Sequence, residues 1–557
     1  MKRSTRTILS LVVTAVVAAV MFYILVPAIN VYNQEMWVLI AILGAVFCVA
    51  YFLFGIKSNE PKTQSTGKSP IKKLKMAHKP IKIAIAVIIV PIVVLIFGNL
   101  VSSTFFNAQK YANIIEVKDA EFETDMPETD LVSNIALMDT ASATLIGNKT
   151  LGELSDIVSQ YQVGENYYQI NYNKTPKKVA NLEYADFFKW FNNRSSGIPG
   201  FVMVDPVDPH SNSAEYIPFD KPMKYVDSAY FSEDLHRALR FSYPTKIFGS
   251  YSFEIDEEGN PYYIVSCMSP KIGLFGGMDV SEVIIFDPCD GSHEIYDLED
   301  VEPWVDNVFT GTLASQKYDW FGTLKNGFWN SVIGNRDCKV TTDDFGYIVI
   351  EDDVWFYTGV TSVVSDESNI GFIISNARTG EYKFYSVVGA EEYSAMQAAE
   401  GEVQEKNYTA SFPSLINVSG EATYIMVLKD NAGYVKLYAL VNVENPTIVA
   451  TASTQTDAKK DYLKLIGEDS KEEEAPQEAL SLDITVKEIK RTTVSGNEIL
   501  YFITEDGTYF KQSVASDETI MFINAGDKIS VSYYKTSIEK INQMIEWKPY
   551  VEPQPKA

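Results

Sequence analysis

The chain has 557 residues, 46% of them hydrophobic and 13% aromatic, with a formal net charge of -26. That length accommodates roughly three to four domains with real cores, and so high an aromatic content excludes disorder as the main state. The charge is unevenly placed, since residues 1 to 100 hold 11 basic and 2 acidic side chains and the remainder 36 and 71. The acidic remainder lacks the net basic surface that displaces counterions from a polynucleotide, so nucleic acid is not an expected partner.

Three uncharged apolar runs come first: Ile8 to Ile29, Met36 to Ile56 and Ile83 to Leu100. Each matches the roughly 20 helical residues that cross a hydrocarbon layer. Lys2, Arg3 and Arg6 precede the first run as they would in a signal peptide, but no small-x-small cleavage motif ends it and a second run follows closely. It is therefore expected to stay as an anchor, making residues 1–100 a three-helix membrane unit. Lys57, Lys62, Lys68, Lys72, Lys73, Lys75, Lys79 and Lys82 crowd the 57–82 loop against Glu60 alone. The cytoplasmic bias of Lys and Arg puts that loop and the N-terminus in the cytoplasm and residues 101–557 outside, as a multi-pass plasma-membrane protein whose first partner is the lipid bilayer. Thr66-Gly67-Lys68-Ser69 is a fragment of a phosphate-binding loop, but position 62 is Lys where its first Gly belongs, and no strand precedes it. Topology and contact with anionic headgroups account for the lysines. Cys48, behind the bulky Phe47, is expected to be a buried thiol.

Residues 101–148 read as a stalk and the start of the ectodomain. Beyond them strand-like runs alternate with amphipathic helices, an α+β pattern. The pattern repeats: Ile284-Ile285-Phe286-Asp287-Pro288-Cys289-Asp290-Gly291 with Ile295-Tyr296 matches Ile373-Ile374-Ser375-Asn376-Ala377-Arg378-Thr379-Gly380 with Phe384-Tyr385. Each is a strand, an Asx-led turn closed by Gly, and a strand, because the turn needs a side chain that caps its own backbone and then a residue tolerant of positive φ. A further copy lies at Tyr438 to Ala452 around Asn442, and a weaker one at Phe201 to Pro206. Helices are expected at Asp297 to Val308, Ala390 to Glu402 and Thr456 to Ile466. The unit is clearest from Glu391 to Ala452, where a helix precedes strand Ala422 to Leu428, the turn Asp430-Asn431-Ala432-Gly433 and a second strand. Helix Ser232 to Phe241 and the strands around Glu257-Glu258-Gly259-Asn260 form another. Segments 149–231, 232–297, 298–389, with an insertion, and 390–467 are the expected modules.

This order resembles the small PepSY-type modules of bacterial extracytoplasmic proteins, and Gly389 to Met396 resembles a family of uncharacterised three-span Gram-positive membrane proteins. The first resemblance implies a modulator of partner proteins, often proteases. The second implies a location. Neither carries a catalytic residue to transfer. Residues 468–480 form an acidic linker without apolar periodicity. After it, 481–548 is expected to be a small β-barrel of oligonucleotide/oligosaccharide-binding or SH3-like shape, with strands Leu482 to Ile489, Glu498 to Thr504, Thr508 to Gln512, Thr519 to Ile523 and Lys528 to Tyr533.

No catalytic, cofactor-binding or metal-ligating residue is assigned. His210, His236 and His293 are the only histidines of the ectodomain. His236 falls in a helix pattern, and His293 lacks the second histidine of a helix-borne zinc motif. Cys267, Cys289 and Cys338 make an odd count; Cys267 and Cys289 could bridge, with buried thiols the leading expectation. Asp343-Asp344, Glu351-Asp352-Asp353, Asp366-Glu367 and Asp205-Pro206-Val207-Asp208 lack calcium-loop spacing and read as solvated acidic faces. Gly273-Leu274-Phe275-Gly276-Gly277 reads as a mobile hairpin tip. Tyr184, Phe187, Phe188, Trp190 and Phe191 on one helix, and Trp320, Phe321, Phe328 and Trp329, read as core rather than a glycan platform. The expected function is a membrane-anchored extracytoplasmic binding or regulatory protein acting on a cell-surface protein partner. The alternatives are a wall-glycan-binding protein and a wall hydrolase using paired carboxylates.

Overall fold

The structure, a computed structural model, describes residues 3–56, 79–129, 135–207, 213–363, 368–467, 480–494, 497–505, 507–514, 518–535 and 541–550. Thr66 to Ser69, most of the lysine-rich loop, Asp208, His210, Asp366, Glu367 and most of the acidic linker lie outside the described residues. Helices Arg3–Leu25, Gln34–Ile56 and Lys79–Ser102 coincide with the apolar runs and are long and apolar enough to cross a membrane. The first ends at Leu25 rather than Ile29, because Val26 precedes Pro27 and a residue before proline is pushed out of the helical region. Val26 turns over at φ 41°.

The sheet-rich body grips this bundle at one end. Ile29 N donates to the Pro244 carbonyl at 2.8 Å and Arg240 Nε to Val26 O at 2.8 Å, holding the turn between the first two helices. Leu274 N and Phe275 N both donate to Ser102 Oγ at 2.9 Å, holding the end of the third. The Gly273 to Gly277 hairpin is therefore anchored rather than mobile. Nor do residues 104–120 stand apart as a stalk: helix Thr104–Ala112 packs on helix Gly311–Leu324, and strand Val117–Ala120 pairs in parallel with Tyr382–Tyr385.

From Thr140 to Ala452 the chain four times runs a helix and then an antiparallel meander. Helix Thr140–Gly152 leads to Tyr161–Val163, Tyr168–Tyr172, Thr175–Tyr184, Ile198–Val204 and Ala214–Met223. Helix Leu235–Ser242 leads to Ile247–Ile255, Pro261–Ile272, Gly276–Phe286 and His293–Asp297. Helix Gly311–Leu324 leads to Lys339–Thr341, Gly346–Ile350, Asp353–Ser362, Gly371–Asn376 and Tyr382–Tyr385. Helix Glu392–Glu402 leads to Thr409–Ala410, Ser414–Val418, Glu421–Lys429, Val435–Asn442 and Val449–Ala452. Each helix starts where a side chain can accept an orphan amide of the first turn. Asp139, Asp234, Thr310 and Glu391 accept from Ser142 N, Arg237 N, Leu313 N and Ser394 N. The last turn of each meander is led by Asp205, Asp287, Asn376 or Asn442, whose side chain accepts an amide two or three residues on at 2.7 to 2.9 Å.

Two sequence expectations change here. Asp297 to Val308 is not a helix: the strand runs to Asp297, and only Leu298–Asp300 forms a 3-10 turn, since Val301, Val305 and Val308 cover the back of the sheet as an irregular segment. The Gly-ended turns at 256–260 and 430–434 are also not equivalent. The first joins strands one and two of its meander, and the second joins the third and fourth of its five strands. Their local geometry is the same, with Asp256 and Asp430 accepting the second amide on and Gly259 and Gly433 at φ 85° and 84°. Turn chemistry fixes a hairpin's shape and not its place in the sheet.

The cores are shared in pairs. Val179, Leu182, Phe201 and Val202 of the first meander pack with Phe253, Val265 and Ile284 of the second. Tyr357, Phe372 and Ile374 of the third pack with Tyr424, Met426 and Val441 of the fourth.

The contacts divide the chain into a unit through Tyr462 and a second from Leu463. The second is a closed five-stranded barrel. Leu480–Val494, Asn497–Thr504, Tyr509–Ser513, Lys528–Lys535 and Ile541–Pro549 ring it in the order first, second, third, fifth, fourth, with the third and fifth parallel. Thr519 to Ile523 is not a strand but part of the 3-10 helix Glu518–Phe522 and the residue after it. Ile520 and Ile523, three apart, both turn into the core, which is a helical and not a two-residue period.

Candidate functional site

A cavity of about 520 Å³ opens where the two paired cores meet. The first meander contributes Gln169 and Lys178, the third Phe345, Tyr347 and Tyr357, and the fourth segment Tyr393, Met396, Phe412 and Ser414. Its size lies within the range of small-molecule and peptide-end sites, and such sites favour junctions between cores. Lys178 is 8% exposed and sits in strand Thr175–Tyr184 directly opposite Gln169. Two-residue periodicity places it in step with Ala180, Leu182 and Tyr184, so a cation occupies the inward register of an otherwise apolar face.

Among the described residues the Lys178 ammonium makes no hydrogen bond or ion pair. Burial pushes it down to about 8, against the upward pull of the Asp139 charge. Asp139 itself is engaged elsewhere. Burial alone would raise its carboxyl, but Lys429 and the Ser142 hydroxyl and amide hold it below its usual value. Asp139, Thr140 and Ala141, at the first turn of helix Thr140–Gly152, line the same cavity. A helix N-terminus carries partial positive charge from its unbonded amides. An unpaired buried ammonium and a helix N-terminus face one aromatic-walled space, which Asp344 also lines, and are suited to hold an anionic group, a carboxylate or phosphate, on a ligand with apolar bulk.

The floor is fixed from behind. Asn307 Nδ2 donates to the Gln169 carbonyl at 2.9 Å, and Asp306 Oδ2 accepts from Asn171 N at 2.7 Å. Glu254 in turn accepts from Asp306 N and Asn307 N at 2.8 and 2.9 Å. Glu254 and Asp306 thus form an adjacent buried carboxylate pair, both pushed up chiefly by burial, whose oxygens are taken by backbone amides. Compared with family models, curated proteins and solved structures, the chain matches none of them.

Of the residues singled out from sequence, Asp344 lines this cavity, and the histidines, cysteines and other acidic pairs lie elsewhere. His236 Nε2 is 3.4 Å from Asp227 Oδ1 with its ring against Tyr251, and His293 Nδ1 is 3.0 Å from the Tyr243 hydroxyl. Cys267, Cys289, Cys338 and Cys48 are all unpaired thiols, and burial pushes Cys267 and Cys289 up to about 12. Asp205 pairs with Lys177 and Asp353 with Arg378, at 2.7 and 2.6 Å. Among the described residues no group of three or more His, Cys, Asp or Glu is placed to hold a metal. The aromatic expectation is corrected in part. Tyr184 ends a strand and Trp190 is buried, but Phe187, Phe188 and Phe191 of helix Phe187–Asn193 are exposed, as is Trp329.

Proposed function

We propose that the chain is a membrane-anchored, extracytoplasmic binding or regulatory protein, whose cavity takes the anionic end of a segment presented by a cell-surface protein partner. The observation that carries this reading is the Lys178 ammonium, buried and without a partner at the wall of a cavity of about 520 Å³. Leaving a buried cation unpaired costs stability, and an occupant that supplies the counter-charge would offset that cost. The carboxylate-dependent hydrolase alternative would rest on Glu254 and Asp306, of whose oxygens both on Glu254 and Oδ2 on Asp306 already serve backbone amides.

The four helix-plus-meander segments are read as diverged copies of one PepSY-like module, supported by their common order and by the recurring Asx-led last turn. The barrel is read as an oligonucleotide/oligosaccharide-binding type, because a closed ring with parallel third and fifth strands is a Greek-key and not a meander closure. Orientation is inferred from the lysine bias of the 57–82 loop. The body gripping the bundle at the end away from Arg3 and Lys79 supports an extracytoplasmic body.

The test is photo-crosslinking in intact cells from position 393, whose native Tyr393 lines the cavity, in native and Lys178→Met backgrounds. A defined protein product that disappears in Lys178→Met is expected. A product of equal yield in both backgrounds would overturn the assignment of Lys178 as the recognition group.

A further inference from the structure

Two exposed aromatic patches flank the places where the chain leaves the apolar helices. The first carries Phe188, Phe191, Phe231 and Phe241, with Phe188 72% exposed. It is continuous with the first membrane helix: the Phe241 ring meets Phe22 edge-on at 6.1 Å, and the Arg237 guanidinium lies 4.9 Å over Tyr23 while donating to the Tyr23 carbonyl. The second carries Phe105, Phe106, Trp329 and Ile333, with Ile333 73% exposed. It begins just past the end of the third membrane helix, and Phe105 packs edge-on against Phe328 and Trp329 at 5.1 and 5.8 Å.

Both patches are built, not incidental. Buried Trp190, its Nε1 donating to Glu233 at 2.9 Å, props the first from beneath, with Phe187, Tyr230 and Phe231 around its ring. Phe231 is held at φ 58°, a left-handed conformation that a bulky side chain adopts only at a cost. The second patch is presented by Asn330–Gly334, a single π-helical turn, a form rare in proteins and frequent at functional sites.

From this geometry we propose that the two patches insert into the interfacial layer of the same bilayer that the helices span, so that the body lies on the membrane rather than standing off it. The attachment of both patches to membrane exits at the one gripped end of the bundle commits the occupant to lipid. A body with a net charge of -35 beyond residue 100 is repelled by anionic headgroups, so apolar insertion is the interaction left to hold it down. Aromatic residues concentrate at that depth, and the apolar side chains of surface-bound segments sink to the headgroup and acyl boundary. Phenylalanine, which makes up the first patch and half of the second, offers no polar atom to a sugar hydroxyl.

The test uses the full chain in nanodiscs of phosphatidylcholine and phosphatidylglycerol, spin-labelled in turn at Phe188→Cys, Ile333→Cys and, as a control, Tyr434→Cys at an exposed hairpin. Collision with dissolved oxygen relative to a water-soluble nickel chelate is expected to be several-fold higher at 188 and 333 than at 434. Equal, nickel-dominated accessibility at all three positions would overturn the proposal, as would labels at 188 and 333 that are nickel-accessible and immobilised only on adding wall glycan fragments. Native Trp329 gives a label-free readout: lipids brominated near the headgroup should quench a fluorescence component that Trp329→Phe removes, and an unchanged quenched fraction would count against insertion.

Discussion

Lys429 donates to Asp139 Oδ2 at 2.5 Å, and by doing so takes the carboxylate whose charge pulls on Lys178 across the cavity. Lys178 therefore titrates as a lone buried amine, with a value of about 8 in the folded chain against 10.5 when free. The unfolded state binds more protons between those values, so native stability rises with pH from about 8 to 10.5. Lys178→Met removes that rise and is expected to be more stable at pH 7 by about 1 to 3 kcal/mol. Denaturant unfolding of both proteins at pH 7 and pH 10 checks it. A methionine variant that is less stable at pH 7 would mean the ammonium has a counter-charge after all.

Glu392 shows the opposite sign. It is fully buried between the third and fourth meanders, accepting from Gly359 N at 2.6 Å and Thr342 Oγ1 at 3.1 Å, and burial pushes it up to about 7. Its folded value lies above the usual 4.5, so its contribution is complete below pH 4.5 and is lost as pH rises through 7. Glutamine keeps the bond from Gly359 N on its oxygen and turns the Thr342 bond round, its Nε2 donating to Oγ1, without the charge. Glu392→Gln should therefore match the native chain near pH 5 and exceed it at pH 8, by up to about 3 kcal/mol. A Tm difference that does not grow with pH would show that Glu392 ionises in the folded chain as it does in the unfolded one, its carboxylate hydrated.

The three thiols beyond the apolar helices should be inert. Cys289 donates to the Lys221 carbonyl at 3.1 Å and Cys338 is 3.3 Å from Asn330 Nδ2, and all three are buried with thiols pushed up. Because the thiolate is the reactive form, maleimide at pH 7 should label none of them until the body is denatured. Rapid labelling of the native protein would contradict this packing.

Much of the fold was legible because it is written in local patterns. The three apolar runs and the Asx turns at Asp287, Asn376 and Asn442 each act within a few residues. What escaped depends on chain segments far apart in sequence. Strand Val117–Ala120 was hidden because its partner Tyr382–Tyr385 lies in another part of the chain. The 518–522 turn looked like a strand because short apolar runs carry no decisive period. Lys178 had a signal that could have exposed it, a lysine in phase with Ala180 and Leu182, but adjacent Lys177 makes the pair look like a solvated edge. The exposed faces of Phe187, Phe188 and Phe191 could not be told from buried ones, since a seven-residue helix offers hydrophobics all round and only its neighbours decide which are covered.

Ser102 ties the membrane helices to the body through two amides, and this is where coupling between them can be measured. Replacing it by alanine leaves Leu274 N and Phe275 N without their acceptor, and the penalty for such buried donors is about 1 to 3 kcal/mol each. The hairpin cannot easily find another seat: a Cβ on Gly98 would meet Phe275 at 2.3 Å and one on Gly276 would meet Tyr111 at 2.3 Å, so the surfaces are already in close contact. Ser102→Ala is therefore expected to speed hydrogen exchange at 274 and 275 while leaving strand Ile198–Val204 of the first meander protected. Exchange that accelerates equally in both places would mean that the hairpin is a structural keystone of the whole body; exchange unchanged at 274 and 275 would mean that Ser102 does not hold it.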